Sequence, residues 1–401
     1  MTAVQGPGLT AELRRLAVPV YLPWTLPMLG ATVLLPVLPL YLIERGISLS
    51  LVGVIIGAVG VGSALGGLPA SVFGQRFGND ALMFVSIAIQ AAVVLAFGFT
   101  GLAIALVVLR TAEGIGMSGT RQSRQVYIAR SVDVGVRGRV MSLVGGAHRF
   151  TFVIGPPLGG WVYEMWGPES AFVLAAAITA IGLFWIALPG GADPNDNRHR
   201  QAEQPRVRVA LLRHRRLLAR ASLGPMLIMA AREGRYVVIP LIGFRLELSP
   251  IAIGALVAVG TAADFLLFPV SGFIMDRFGR LYSMVPAFSL MAFGLLLLGV
   301  AGSASEAVVA GVVIGVGNGL SSGSMLTMST DLAPDDAHGP FIAGFSMAAG
   351  VGRLAGPVIV GWAAQSIGLG ASAVALAITL GFGLSWIVFV IGETGRPNGA
   401  E

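Results

Sequence analysis

The chain has 401 residues, of which 55% are hydrophobic and 11% are charged, whereas a soluble domain carries about 25% charged residues. Too few polar side chains remain to cover a water-soluble globule, so the composition excludes one and predicts a protein of the lipid bilayer. The absence of cysteine excludes disulfides, thiolate metal sites and cysteine nucleophiles. The net charge of +6 is better explained by where the arginines lie than by binding to nucleic acid.

Twelve apolar segments follow one another along the chain, and each is long enough to cross about 30 Å of hydrocarbon as a helix. Every one must be helical, because an open strand cannot pair its backbone groups in lipid. The first run is too long for a signal-peptide core and lacks a small-residue cleavage site, so we expect a retained span. The first span is predicted to end near Ile43, and the others to lie near 50–74, 81–99, 102–127, 138–163, 170–188, 220–246, 249–275, 281–301, 305–330, 338–365 and 370–392.

A single offset of 201 residues superimposes the two halves of the sequence without a gap. It carries Arg76-Phe77-Gly78 onto Arg277-Phe278-Gly279, and Gly155-Pro156 onto Gly356-Pro357. One unit is therefore used twice. The sequence predicts an all-α polytopic membrane protein whose twelve transmembrane helices form two six-helix repeats. We expect an N-terminal bundle over 1–189, a basic linker over 190–219 and a C-terminal bundle over 220–401.

The arginines lie mostly on one side of the predicted membrane. Seventeen fall in the N-terminal segment, the 75–80 and 128–139 loops, the stretch over 190–220, the 276–280 loop and the C-terminal segment. The opposite side carries Arg45 and Arg245. Because basic loops stay on the cytoplasmic side, we expect both termini and the linker to be cytoplasmic, in a multi-pass protein of the inner (plasma) membrane.

Three short motifs stand at fixed places among the spans. The loop after the eighth span reads Gly-x-x-x-Asp-Arg-x-Gly-Arg, which its first-half copy over 71–79 follows incompletely. The fourth span carries Arg110-x-x-Glu113-Gly-x-Gly116, and the fifth carries Gly-Pro-x-x-Gly-Gly over 155–160. With two six-helix repeats around a basic linker, these motifs resemble those of the major facilitator superfamily, although Glu113 stands where the family has glutamine. The resemblance implies a carrier that works by alternating access.

The loop motif is predicted to act as a conformational latch. A carboxylate at the end of a helix can accept hydrogen bonds from the backbone N–H groups that begin the next helix, and it can pair with nearby arginines. Such contacts could exist in one conformation and break in the other; a plain topological anchor is the alternative. The predicted latch residues are Gln75, Arg76, Gly78, Gly272, Asp276, Arg277, Gly279 and Arg280.

The Gly-Pro motifs are predicted to pack helices together, because glycine removes side chains from one helix face. In the family that the chain resembles, the motif of the fifth span is associated with exporters that exchange substrate for protons. The residues expected to make these contacts are Gly155, Pro156, Gly159, Gly160, Gly356 and Pro357.

Charged residues inside spans are candidates for function, because each costs at least a few kcal/mol at mid-membrane. Arg110 and Glu113 are three residues apart on one helix and can pair. Burial favours the neutral acid and the arginine favours the carboxylate, an opposition that suits proton coupling; a static structural pair is the alternative. Asp264 is a second candidate proton carrier, or else a structural partner for an arginine such as Arg353. The candidate substrate and proton-coupling residues are Arg110, Glu113, Arg149, Arg232, Glu233, Arg235 and Asp264.

The third, sixth, ninth and twelfth spans contain no charged residue and are expected to face lipid. The charged residues selected inside the other spans, with Arg353 included, are five arginines against three carboxylates. If the transport cavity shares that balance, a wholly cationic substrate is disfavoured.

We expect a secondary active transporter that exports a small amphipathic organic compound in exchange for protons. Proton-coupled uptake of a polar metabolite is the alternative on the same fold, as is a non-transporting receptor or scaffold. No catalytic constellation appears, so an enzyme is not expected, and neither a cofactor nor a metal is implied. The expected partners are the substrate, protons and the lipid bilayer, with no nucleic acid, and the protein is expected to be a monomer.

Overall fold

The computed structural model of the protein describes residues 21–132, 134–187 and 212–394. All twelve predicted spans are helical, and the described residues contain no β-strand, which confirms the predicted fold class. The first six spans are Leu22–Glu44, Leu49–Leu65 continued by Gly67–Phe77, Asn79–Phe97, Ala103–Ser131, Val134–Trp166 and Pro168–Ala187. The second six are Arg215–Arg245, Pro250–Phe278, Arg280–Val300, Ala304–Leu320 continued by Ser324–Asp331, His338–Ser366, and Leu369–Trp386 with a π-helical turn over Ile387–Ile391.

Two of the spans are broken, which was not predicted from the sequence. The second bends by 48° between Leu65 and Gly67. The tenth is interrupted over 321–323, where Gly323 has a φ of 81°, a conformation that side-chain-bearing residues rarely adopt. Residues 188–211 and both ends of the chain, including most of the predicted linker, lie outside the described residues. The seventh span begins at Arg215, inside the range predicted for that linker.

Hydropathy separates the spans into two groups. Seven are long and apolar enough to cross a membrane by length and composition, and the bent second span makes an eighth. Of the four others, the sixth has a shorter apolar stretch, Pro168–Phe184. The fourth, fifth and seventh carry the charged residues described below. Their lower hydropathy has a physical reason, because these three helices line a polar cavity rather than lipid alone.

The duplication of the sequence is visible as a duplication of helix contacts. Gly114 packs so closely on the carbonyl oxygen of Val59 that a Cβ atom would collide with it, and Gly315 packs in the same way on Gly260. Both residues of the second contact lie 201 positions after those of the first. Glycine at these positions lets two helix backbones approach, as small residues do between membrane helices.

The charge-free spans have broad apolar surfaces. Phe84, Phe184, Phe293 and Phe382, one on each of these four helices, are large exposed hydrophobic residues. Such surfaces suit contact with lipid tails, and lipid contact of these helices stays a prediction. The third span is nevertheless amphipathic, because its Gln90 turns inward and donates a 2.7 Å hydrogen bond to Thr120 Oγ1 of the fourth span.

The two halves touch closely at one face of the membrane. Near that face, the Gly-Pro motif brings Gly160 onto the carbonyl oxygen of Pro250, and Gly254 onto that of Pro156. The backbone N–H of Leu49 donates to Gln365 Oε1 (3.0 Å), and that of Ile251 donates to Glu164 Oε2 (3.2 Å). These contacts join the second span to the eleventh and the fifth to the eighth, on the side of the loops over 45–48 and 246–249.

Toward the opposite face, the same helices separate. Gly146, Gly272 and Gly339 lie on the fifth, eighth and eleventh spans, and each has open space where a side chain would stand. The remaining motif glycines pack within their own halves: Gly155 and Gly159 contact Thr32 and Val33 of the first span, and Gly356 contacts Ala230 of the seventh.

Candidate functional site

A cavity of about 540 Å³ lies between the two halves. It is lined by all seven of the charged residues selected from the sequence: Arg110, Glu113, Arg149, Arg232, Glu233, Arg235 and Asp264. Residues from four separate spans, up to 154 positions apart, are thus brought to one site. The volume suits a small organic molecule rather than a bare ion.

Arg110 and Glu113 form the predicted pair. Arg110 Nη1 donates to Glu113 Oε2 at 2.6 Å, and the two side chains are 13% and 4% exposed. The i,i+3 spacing places both groups on one face of the fourth span, so the bond needs no help from another helix. Arg110 Nε is buried and has no hydrogen-bond partner among the described residues.

Asp264 stands between two arginines, neither of which is the partner suggested from the sequence. Its carboxylate lies 3.6 Å from Arg149 Nε and 3.7 Å from Arg235 Nη2, and Asn318 Nδ2 donates to it at 2.6 Å. Asp264 thus has arginine partners, as the structural alternative expected, but they are Arg149 and Arg235 rather than Arg353. Arg149 belongs to the first half, so this ion pair crosses between the halves, and Arg149 also donates to Ser322 Oγ of the second half.

The seventh span contributes three charges to the cavity. Arg232 Nη2 donates to Ser321 Oγ at 2.6 Å, and Arg235 Nη2 donates to Tyr236 Oη at 2.6 Å. Glu233 was expected to point about 100° away from Arg232, yet it lines the same cavity. The cavity is wide enough to take in both helix faces.

Sequence reasoning missed two arginines of the fourth span. Arg121 and Arg124 line the cavity together with Arg110 and Arg353. They follow Arg110 by 11 and 14 residues, which is close to three and four turns of a helix with 3.6 residues per turn. That spacing was a usable signal that all three share a face. Among the described residues, the cavity lining therefore includes seven arginines against three carboxylates, a larger positive excess than the sequence indicated.

A row of rings forms one wall of the cavity. Trp24 and His148 stack with centroids 6.3 Å apart, His148 and Phe152 are 5.1 Å apart, and Phe152 and Tyr236 are 5.3 Å apart. The last contact crosses from the fifth span to the seventh. It is reinforced by Thr261 Oγ1, which donates to the carbonyl oxygen of Phe152 at 2.8 Å. We call Trp24, His148, Phe152 and Tyr236 the aromatic wall.

The model of the Major Facilitator Superfamily matches this chain over residues 26–232 and 221–401. The chain belongs to the major facilitator superfamily. It is 20% identical to an uncharacterized MFS-type transporter of Methanocaldococcus jannaschii over 85% of this chain and 89% of that one. It is 22% identical to a probable 4-methylmuconolactone transporter of Cupriavidus pinatubonensis over 65% of this chain and 62% of that one.

Solved structures of the superfamily share the fold. A bacterial homolog of the human lysosomal transporter Spinster, in an inward-facing and occupied conformation, has a TM-score of 0.76 at 15% identity, with 96% of this chain and 98% of that one covered. The nucleoside transporter NupG has a TM-score of 0.74 at 13% identity, over 96% and 99%. This chain is accordingly a multi-pass membrane transporter and not an enzyme.

The backbone geometry of the superfamily loop motif explains why it contains glycine. Gly78 and Gly279 join two helices with no intervening residue, at φ values of 95° and 103°. Side-chain-bearing residues rarely adopt these values, so this turn favours glycine in both repeats. In the first half, Gln75 Nε2 donates to Ser71 Oγ at 3.4 Å, and Arg76 stacks on Phe77, 5.3 Å from its centroid.

In the second half, another residue takes the capping role expected of Asp276. Glu393 accepts from the backbone N–H groups of Arg280 (2.7 Å) and Leu281 (2.8 Å), at the start of the ninth span. The Asp276 side chain is 82% exposed and lies 3.9 Å from Arg280 Nη1. Arg280 Nε makes a closer pair with Asp331, at 3.1 Å. Arg277 stacks near the Phe278 ring, at 5.6 Å. The expected cap is present, but Glu393 provides it.

Proposed function

We propose that the protein exports a small organic anion in exchange for protons, as a monomer that alternates between two openings of one central cavity. The observation that carries this proposal is the excess of seven arginines over three carboxylates in the cavity lining. Unpaired positive charge is costly inside a membrane protein. An anionic substrate would offset that cost, whereas a cation would add to it.

The membrane potential supports export over uptake for such a substrate. Each elementary charge that crosses the membrane changes the free energy by about 2.3 kcal/mol per 100 mV. Because the cell interior is negative, the membrane potential favours both the exit of an anion and the entry of a proton. Uptake of the same anion would have to be driven against it.

Two carboxylates are placed to carry the proton. Protonation of Glu113 would break its 2.6 Å bond with Arg110 and free that guanidinium for the substrate. Protonation of Asp264 would weaken its pairs with Arg149 and Arg235, and hence a contact between the halves. We assign the coupling role to Glu113 first, because its pair lies within one helix and can open without moving the two halves.

The contacts between the halves support an inward-facing conformation. They lie at the face of the arginine-poor loops, where Leu49 meets Gln365 and Ile251 meets Glu164. If the arginine-rich loops are cytoplasmic, as the positive-inside rule predicts, the cavity is closed to the outside. Substrate would then enter from the cytoplasm of a cell whose inner (plasma) membrane holds the protein.

The test uses inside-out vesicles with an acidic interior, a clamped membrane potential and a pH-sensitive dye. Three matched compounds are added in turn: benzenesulfonate, neutral benzenesulfonamide and cationic phenyltrimethylammonium. The sulfonate and the quaternary ammonium carry fixed charges, so neither can move protons by itself. We expect benzenesulfonate alone to release protons from vesicles that contain the protein, and Glu113→Gln to abolish that release.

Glu306→Gln is the matched control, because Glu306 caps a loop outside the cavity through the Gly302 N–H (2.8 Å). This variant should behave like the native protein. Release that persists in Glu113→Gln but is lost in Asp264→Asn would move the proton site to Asp264. Acidification instead of release would indicate uptake with protons. Sulfonate binding without any proton movement or flux would indicate a receptor.

A further inference from the structure

The two ends of the aromatic wall differ in how fully their polar groups are paired. At the first end, the Arg124 guanidinium lies 3.7 Å from the centroid of the Trp24 ring. Trp24 is 8% exposed, and its Nε1 has no hydrogen-bond partner among the described residues; nor do Arg124 Nε and His148 Nδ1. An indole N–H can only donate, so it calls for an acceptor.

The groups at the second end of the wall are more fully paired, although Arg235 Nε has no hydrogen-bond partner among the described residues. Arg235 lies 4.6 Å from the Tyr236 ring centroid, donates to Tyr236 Oη at 2.6 Å and faces the Asp264 carboxylate at 3.7 Å. By contrast, neither Arg121 nor Arg124 has a carboxylate within ion-pair distance in the part of the chain that the structure describes. Arg124, at the Trp24 end, therefore lacks the carboxylate partner that Arg235 has at the other end.

We propose that the substrate is an aromatic anion whose ring stacks on His148 and Phe152 and whose anionic group faces Arg124 and the indole N–H of Trp24. This inference rests on the proposed transport of an organic anion and adds the chemical class and the orientation of that anion. His148 and Phe152 form the middle of the wall with their planes 58° apart, so a planar ring that stacks on one of them meets the other at its edge. An anionic group on that ring then reaches the donors at the Trp24 end.

Stacking distinguishes a ring with π electrons from an alicyclic ring of the same size. Aromatic pairs gain about 0.5–1.5 kcal/mol beyond the burial of their area, which corresponds to roughly 2- to 13-fold in affinity. Burial alone would favour the alicyclic compound, because a cyclohexyl group is the more hydrophobic of the two. A preference for the aromatic anion would therefore indicate stacking on the aromatic wall rather than burial of apolar surface alone.

The experiment compares the dissociation constants of benzenesulfonate and cyclohexanesulfonate for the purified full-length protein in lipid nanodiscs, by calorimetry. We expect benzenesulfonate to bind about 3- to 10-fold more tightly to the native protein. Phe152→Leu should bring the ratio of the two dissociation constants close to one. Phe268→Leu is the control, since Phe268 lies against an arginine (Arg149, 4.7 Å) outside the wall; its ratio should stay native.

A second variant tests the orientation. Arg124→Gln should weaken binding of both sulfonates about tenfold or more, while leaving their ratio unchanged. Equal binding of the two sulfonates by the native protein, or an unchanged ratio in Phe152→Leu, would overturn the inference while leaving anion transport standing. If neither sulfonate binds to the native protein, the proposed function itself fails. The ratio of the two dissociation constants can be measured on the native protein alone, so it tests the preference for an aromatic anion even if Phe152→Leu does not fold.

Discussion

Asp264 shows how a single carboxylate can hold several buried donors. It is 6% exposed, it faces Arg149 and Arg235, and it accepts a bond from Asn318 at 2.6 Å. Removing one partner of a buried ion pair leaves an uncompensated charge, which is more damaging than replacing the whole pair. A carboxylate that forms an ion pair on the exposed surface contributes little to the stability of the protein.

This contrast predicts the stability of two alanine variants. Asp264→Ala should destabilise the protein by about 3–5 kcal/mol, because two arginines lose their counter-charge. Asp276→Ala removes a carboxylate that is 82% exposed and should leave stability within about 0.5 kcal/mol. The measurement is the thermal unfolding of both purified variants in the same detergent. Equal melting temperatures for the two would show that Asp264 does not hold the network.

The fifth span packs closely against the other half of the protein near one end and has open space beside it near the other. Its Gly160 packs directly on the backbone of the eighth span, while Gly146, fourteen residues earlier, has open space beside it. Helix backbones can approach this closely only where side chains are absent. The closed face of the carrier therefore depends on glycine at particular positions of this helix.

Gly160→Val should wedge the two halves apart at the closed face, whereas Gly146→Val on the same helix should not. The chain has no cysteine, so Met229→Cys in the cavity lining gives a unique thiol in each background. A membrane-impermeant maleimide, applied from the side of the loops over 45–48 and 246–249, should label the Gly160→Val protein several-fold faster. No difference between the two valine variants would mean that this contact does not set the closed state.

At the scale of the whole molecule, two pairs of hydrogen-bonded helix ends hold the halves together at one face. Leu49 N–H donates to Gln365 Oε1, and Ile251 N–H donates to Glu164 Oε2. Alternating access, as proposed for this carrier, would break both contacts in each cycle, because the two repeats would rock about the central site. Structures of the superfamily with the same fold include inward-facing ones.

A covalent link across this face should arrest transport without preventing binding. Cysteines at Leu49 and Gln365, joined by oxidation, should abolish benzenesulfonate-driven proton release, and reduction should restore it. Binding of benzenesulfonate should persist, because the link leaves the opposite opening unchanged. The control is either single cysteine variant treated with the same oxidant. Transport that continues while the link is intact would contradict alternating access through this face.

The sequence alone determined the number and kind of the spans, the duplication and most of the cavity charges. These features follow from local properties, since lipid forces an unbroken apolar run to be helical and makes an intramembrane charge costly anywhere. The Arg110–Glu113 pair was predictable for the same reason, because both residues lie on one helix. The breaks at Gly66 and Gly323 left no clear trace in the apolar pattern.

Only the tertiary structure decided which distant groups meet. Asp264 pairs with Arg149 rather than Arg353, and Glu393 rather than Asp276 caps the ninth span. The aromatic wall joins rings from the first, fifth and seventh spans. Such contacts depend on the rotation and crossing of helices far apart in the chain. Periodicity within one helix reveals which residues share a face but not which face of another helix they meet.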